Sequence, residues 1–164
     1  MSKLKFVVAA VILCGIVLTS CSEDKDTDFS IENFTVTAVK GLNGSYVPAS
    51  ASMKSSDILF ILRVTNGVSG TAPGLSREAV TYFTITSDST LYSNAGDIAP
   101  NEDLTGYFQA SDQINGSKIY NWDHQFGPLF SVTKKQKHNF KFTIKLDDGR
   151  SFVVQPGFYE LLPQ

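Results

Sequence analysis

The sequence predicts an all-β protein, an antiparallel β-sandwich of immunoglobulin-like character, and three observations support this fold class. Charged residues make up only 18% of the chain and aromatic residues 12%, with 12 phenylalanines, a composition that favours sheets over helices. Several segments alternate between apolar and polar residues with a period of two. No segment of the sequence carries an apolar stripe with helical spacing that is longer than about two turns. A small β-barrel is the structural alternative.

The clearest predicted elements lie at the C-terminal end of the chain. Apolar and polar residues alternate from Phe140 to Leu146, an Asp-Asp-Gly turn follows, and alternation resumes from Arg150 to Val154. This pattern predicts a β-hairpin in which Gly149 adopts a positive φ angle. Pro156-Gly157 ends the second arm, and Phe158 to Leu162 predicts a last short strand.

Three longer strands are predicted upstream of this hairpin. The first runs from Phe29 to Ala38, and the second, from Ile58 to Val64, is apolar on both faces, as is typical of a central strand covered on both sides. In the third, from Ala79 to Thr86, Phe83 and Ile85 are expected to face the core. Shorter apolar pieces at residues 90–92, 104–108, 118–122 and 129–132 bring the expected total to six to eight strands.

Long polar connections are predicted between these strands. They are rich in Gly, Ser, Pro or acidic residues and span Lys40–Asp57, Thr65–Arg77 and Ser87–Asp103. Such segments are expected to form surface loops on a rigid sandwich. No internal repeat divides the chain, so residues 29–164 are predicted to form a single domain.

The N-terminal segment predicts export and lipidation. Two lysines precede an apolar run from Phe6 to Leu18, whose roughly 13 residues would span only about 20 Å as a helix, short of the roughly 30 Å of a membrane core. Thr19 and Ser20 then lead to Cys21. The segment therefore fits a cleaved signal peptide of residues 1–20 better than a membrane-spanning anchor. An ordinary secretion signal with an incidental cysteine is the alternative.

The Leu-Thr-Ser-Cys ending resembles the lipobox of bacterial lipoproteins, which implies that Cys21 becomes the mature N-terminus and carries acyl chains that hold the protein on its membrane. Removal of two lysines with the signal changes the net charge from −2 to −4. The mature chain keeps no second cysteine for a disulfide. Residues 21–28 are polar and acidic and predict a flexible tether behind the lipid.

The tether and the C-terminal hairpin both resemble those of a known group. The acidic run is similar to the export signal of surface-exposed lipoproteins of the Bacteroidetes, and Ser22 in place of Asp argues against retention in the inner membrane. This implies an outer-membrane location facing the exterior, with the periplasmic face as the alternative. The segment Phe140–Phe152, and more weakly Phe83–Phe108, resembles small β-sandwich lipoproteins of Bacteroidetes with domains of unknown function. That resemblance implies fold and location and brings no catalytic residues.

No residue pattern in the chain predicts catalysis, so an enzyme is not expected. A Gly-x-Ser-x-Gly elbow does not occur in the sequence. His124 and His138 have no partners at metal-ligand spacing and are interpreted as solvated loop side chains. We therefore expect no metal and no other cofactor. The acidic balance without a basic stripe argues against a nucleic-acid partner.

One aromatic segment is a candidate ligand site. The sequence Tyr-Asn-Trp-Asp-His at residues 120–124 has the composition of a sugar-binding surface and contains the only tryptophan. Tyr120, Trp122, Asp123 and His124 are the candidate contacts. The alternative is that Trp122 and Phe126 close one end of the core.

One modification is also predicted. The triplet Asp88-Ser89-Thr90 is similar to the O-glycosylation site of Bacteroidetes proteins. This similarity makes Ser89 a candidate for attachment of a glycan.

Two functions fit the sequence. The first is a lipid-anchored cell-envelope protein that acts as a non-enzymatic binding or interaction module, with a glycan or a protein as partner. The alternative is a glycan-binding accessory lipoprotein for nutrient capture. The glycan hypothesis predicts that Trp122 is exposed and that Tyr120 lies beside it.

Overall fold

The computed structural model describes residues 28–42, 45–66 and 74–164. The predicted signal peptide, Cys21 and all of the tether except Asp28 lie outside the described residues, as does most of the predicted loop Thr65–Arg77. Within the described part of the chain, no helix is long and apolar enough to cross a membrane.

The first sheet contains five strands in the spatial order β2-β1-β4-β10-β8, and all of its pairings are antiparallel. The apolar strand predicted at Ile58–Val64 is its central strand, which confirms that prediction. Its strands are β1 (Asn33–Leu42), β2 (Ser45–Pro48), β4 (Ile58–Thr65), β8 (Phe108–Ala110) and β10 (His124–Pro128).

The second sheet has the order β3-β13-β11-β5-β9, and β12 also pairs with β11. Its strands are β3 (Ser52–Lys54), β5 (Leu75–Ser87), β9 (Ser117–Tyr120), β11 (Gln136–Leu146), β12 (Ser151–Val154) and β13 (Phe158–Leu162). The β3–β13 pair is parallel, so the sheet is not purely antiparallel as predicted. A separate hairpin joins β6 (Leu91–Ser93) to β7 (Gly96–Ile98).

Phenylalanines fill the space between the two sheets. Phe60 of β4 has no exposed surface, and its ring lies 5.1 Å from that of Phe140 and 5.3 Å from that of Phe142 on the opposite sheet. Phe83 of β5 stacks on Phe126 of β10 at 5.0 Å. These contacts across the interior confirm a β-sandwich, and the sheets do not close into a barrel.

The C-terminal prediction is confirmed in detail. β11 and β12 form the expected hairpin, Gly149 has a φ of 88°, and β13 is the expected last strand. Phe83 and Ile85 are buried as predicted.

The expected number and positions of the strands were partly wrong. Polar segments without clear alternation also form strands, because their backbones pair with neighbouring strands. The described residues form thirteen strands instead of six to eight. The first strand begins at Asn33 and not at Phe29, which makes only an isolated bridge to Ser76. The predicted loop Lys40–Asp57 contains β2 and β3. The predicted loop Ser87–Asp103 contains the β6–β7 hairpin, of which only the short strand at residues 90–92 was expected. Residues 129–132 are not a strand.

The two ends of the sandwich differ in what they carry. Phe29, Leu75 and the segment Tyr120–Trp122 meet at one end, which we call the tether end because the chain arrives there from Cys21. The paired residues Leu42 of β1 and Ser45 of β2, together with the β6–β7 hairpin, lie at the opposite, far end.

Candidate functional site

Tyr120 and Trp122 form an exposed aromatic pair at the tether end. Tyr120 is the last residue of β9, and Trp122 lies in the bend that leads to β10. Their ring centroids are 4.0 Å apart with the planes 15° from parallel. Each residue is 42% exposed, whereas Phe126 is buried in the core. The alternative was that Trp122 and Phe126 both close one end of the core. Phe126 is part of the core, but Trp122 is not.

A carboxylate fixes the orientation of the tryptophan. Asp112 Oδ2 accepts hydrogen bonds from Trp122 Nε1 at 3.2 Å, Ser111 Oγ at 3.0 Å and His124 Nδ1 at 3.1 Å. Partial burial pushes the pKa of Asp112 upward, but the bonds from these three donors outweigh it and hold the pKa below its usual value. Asp112 therefore stays ionised and keeps the indole in one place.

His124 supports the aromatic pair from beneath. It is only 2% exposed, which contradicts the interpretation of a solvated loop histidine. Its Nε2 lies 3.0 Å from the carbonyl oxygen of Tyr120, and its Nδ1 faces Asp112. These two contacts hold the ring through both of its nitrogens. His124 positions Tyr120 and does not reach a ligand on the surface.

Asp123, the fourth candidate contact, is engaged elsewhere. Its two carboxylate oxygens accept bonds of 2.7 and 2.8 Å from Nε and Nη2 of Arg63 on β4. The hydrogen bond from Arg63 is the main reason that the pKa of Asp123 lies below its usual value. This pair neutralises both charges beside the aromatic rings.

His138 is also buried, which corrects its interpretation as a loop residue. It is 1% exposed, its Nδ1 lies 3.0 Å from Ser87 Oγ, and its ring stacks on Phe140. Burial lowers the pKa of His138, although the charge of Asp88 opposes the shift. The buried site therefore favours the neutral ring.

A groove of about 290 Å³ crosses the outer face of the first sheet. The floor is Leu59 of β4, which is half-buried, so the predicted covering on both sides of β4 is incomplete here. Tyr46 Oη donates to Gln125 Oε1 at 3.1 Å at its margin. The lining contains no charged side chain and consists of Leu59, Gln109, Ala110, Ser111, Gln125 and Gly127.

Sequence reasoning missed this groove because its residues come from three strands. β4, β8 and β10 are neighbours only after the sheet has formed. The one signal in the sequence was the apolar outer face of β4, at Leu59 and Ile61, which indicated that something covers that face.

Ser89, the predicted modification site, lies in the bend after β5 and is partly exposed. Its Oγ donates to Asp88 Oδ1 at 3.0 Å. The hydroxyl is therefore at the surface. Cys21, the predicted lipidation site, lies outside the described residues.

In residues 28–42, 45–66 and 74–164, no three His, Cys, Asp or Glu side chains are grouped so that they could hold a metal ion. No protein-family model matches the chain, and a search of curated proteins found no match. What the chain does is therefore inferred from its own side chains.

Proposed function

We propose that the protein is a lipid-anchored, non-enzymatic binding module held by Cys21 at the outer membrane of a bacterium, facing the exterior. The apolar run that ends in Leu-Thr-Ser-Cys and the acidic tether support the anchor and the location. The groove on the outer face of the first sheet is the observation that carries the binding role. It combines a rigid sheet floor with hydrogen-bonding side chains along its walls.

The chemistry of the groove favours a neutral, hydroxyl-rich ligand. Gln109, Gln125 and Ser111 offer both donors and acceptors, and no charged side chain attracts an ion. Leu59 supplies an apolar floor against which a sugar ring packs. A glycan-binding accessory role in nutrient capture is therefore the second candidate function, and the glycan is the ligand class that these side chains fit.

Removal of the two carboxamides tests this role. Full-length protein in detergent micelles is titrated with maltoheptaose, cellohexaose and xylohexaose by calorimetry. The double variant Gln109→Ala, Gln125→Ala should weaken binding about tenfold or more, because each lost hydrogen bond to a buried ligand hydroxyl costs about 0.5–1.5 kcal/mol. Gln113→Ala is the matched control, because Gln113 lies outside the groove.

Two outcomes would contradict the glycan role. Binding of any of these oligosaccharides that the double variant retains in full would place the ligand elsewhere, and absence of binding to all three would remove neutral glucans and xylans as ligands.

Glycosylation at Ser89 is proposed as well, because the hydroxyl is accessible in a surface bend. Intact-mass measurement of protein from its native host should show added hexose-type mass that Ser89→Ala abolishes and Ser111→Ala retains. A mass that equals that of the lipidated polypeptide alone would contradict the modification.

A further inference from the structure

The aromatic pair lies next to the place where the chain enters the domain from Cys21. Tyr120 is paired with Leu75 across β9 and β5. On the other side of β5, the amide of Phe29 donates to the carbonyl of Leu75 at 3.2 Å, and Phe29 bridges to Ser76. Two strand spacings, about 10 Å, therefore separate Phe29 from the aromatic pair.

A clasp of charged residues fixes this first segment to the body. The carboxylate of Glu78 accepts bonds from Ser30 Oγ at 2.5 Å and from the amide of Ile31 at 3.0 Å. Arg150 donates to Glu78 at 2.8 Å and also to the carbonyl of Ile31. These bonds hold Ser30 and Ile31 in a fixed position on the sandwich. The direction from which the chain reaches the tether end is therefore fixed relative to the domain.

The length of the intervening chain limits how far this end can lie from a membrane. Seven peptide steps lead from Cys21 to Asp28, which is about 25 Å when fully extended. A bilayer that holds the acyl chains of Cys21 is therefore within that distance of Asp28, the residue before Phe29. The far end, by contrast, is separated from the tether end by the length of the strands, about 27 Å for the eight residues of β4.

We propose that Tyr120 and Trp122 rest in the interfacial layer of the phospholipid bilayer and form a second membrane contact beside the lipid on Cys21. This proposal rests on the lipid anchor proposed above. Tyr and Trp are the side chains that concentrate at membrane interfaces, since their rings are apolar and their polar atoms need a partner.

The surroundings of the pair suit this role. Trp122 Nε1 already has its partner in Asp112, so the ring enters the interface without an unpaired donor. The charges of Arg63 and Asp123 are paired with each other, and three hydrogen-bond donors satisfy the carboxylate of Asp112. Contact at this corner leaves the far end in water, while the groove adjoins the pair at Ser111 and opens on the outer face of the first sheet.

The single tryptophan of the chain allows a direct test. The full lipidated protein is reconstituted in phosphatidylcholine vesicles whose acyl chains carry bromine, a contact quencher of indole fluorescence. Emission from Trp122 should fall to about half or less of its value in unbrominated vesicles, as expected for a ring at the interface.

A control tryptophan at the far end completes the design. The variant Tyr46→Trp, Trp122→Phe carries its only tryptophan at an exposed position, since Tyr46 is 52% exposed. Its emission should change by less than about a tenth, because position 46 lies beside Gly41 near the far end of β1.

Mass spectrometry of each sample separates the possible failures. A chain that carries lipid on Cys21 but shows no quenching at Trp122 overturns the membrane contact and leaves the anchor intact. A chain without lipid on Cys21 overturns both. Emission that responds to maltoheptaose and not to bromine shows that the pair contacts a glycan, which also overturns the proposal.

Discussion

The two histidines of the chain are both buried, but in different polar surroundings. His124 faces two acceptors, Asp112 and the Tyr120 carbonyl. His138 faces the hydroxyl of Ser87 and packs on Phe140. The first holds the aromatic pair in place, whereas the second is part of the interior of the sandwich. Burial lowers the pKa of the second, His138, which gives it a consequence for stability in acid.

The lowered pKa of His138 predicts a loss of stability in mild acid. The unfolded chain binds a proton near the ordinary pKa of 6.5, while the buried ring resists it. The stabilisation from neutral His138 is therefore complete above that pH and is lost as the pH falls below it. Between about pH 7.5 and pH 5.5, the urea midpoint of the wild-type protein should fall more than that of His138→Gln.

Parallel pH dependences of the two proteins would contradict this assignment. At the higher pH the variant should itself be less stable by about 1 kcal/mol, because it loses the bond to Ser87. Carboxylates with lowered pKa values, such as Asp112 and Asp123, lose their contribution only at lower pH, where they take up protons.

Some residue environments could be predicted from the sequence and others could not. Alternation alone showed that Phe83 and Ile85 face the core, since one face of a strand is set by its period of two. The burial of His138 depends on Ser87, 51 positions away, and that of His124 depends on Asp112. No local pattern carries such pairings.

At the scale of elements, the β11–β12 hairpin is the part that the sequence specified most fully. Alternation is long on β11 and resumes over the four residues of β12, and the turn residue Gly149 has a φ of 88°. An added Cβ at this position would meet no atom within 4 Å, so any cost of a substitution comes from the backbone and not from crowding.

Substitution of this glycine tests the turn. Gly149→Ala should destabilise the protein by about 1–2 kcal/mol, which is the cost of holding an L-residue in the left-handed region. Gly106→Ala is the matched control: it is equally uncrowded but lies outside that region, so its effect should stay within about 0.5 kcal/mol. Equal melting temperatures for the two variants would show that the turn relaxes and that the strain is absent.

The elements that escaped prediction are short. β2, β3 and β7 have three or four residues each, too few for a period of two to stand out from a polar background. β2 and β3 form because β1 and β13 offer unpaired amides and carbonyls, and a neighbouring segment satisfies them whatever its composition. β7 pairs only with β6, in a separate hairpin. The groove was missed because β4, β10 and β8 become neighbours only in the folded sheet.

At the scale of the whole molecule, the point where the chain enters, the aromatic pair and the groove have defined positions relative to one another. The chain enters at the tether end, where Glu78 and Arg150 hold residues 30 and 31. The aromatic pair lies at the same end, and the groove crosses the outer face of the first sheet. A protein anchored through Cys21 would therefore present the groove sideways to the membrane and the β6–β7 hairpin outward.

Acylation of Cys21 is the claim on which this arrangement depends, and metabolic labelling with an alkyne analogue of palmitate measures it directly. The wild-type protein and Cys14→Ser should both incorporate the label, because residue 14 lies within the predicted signal peptide, whereas Cys21→Ser should incorporate none. Label that persists in Cys21→Ser, or a wild-type chain that remains unlabelled, would contradict the anchor and the membrane-bound function built on it.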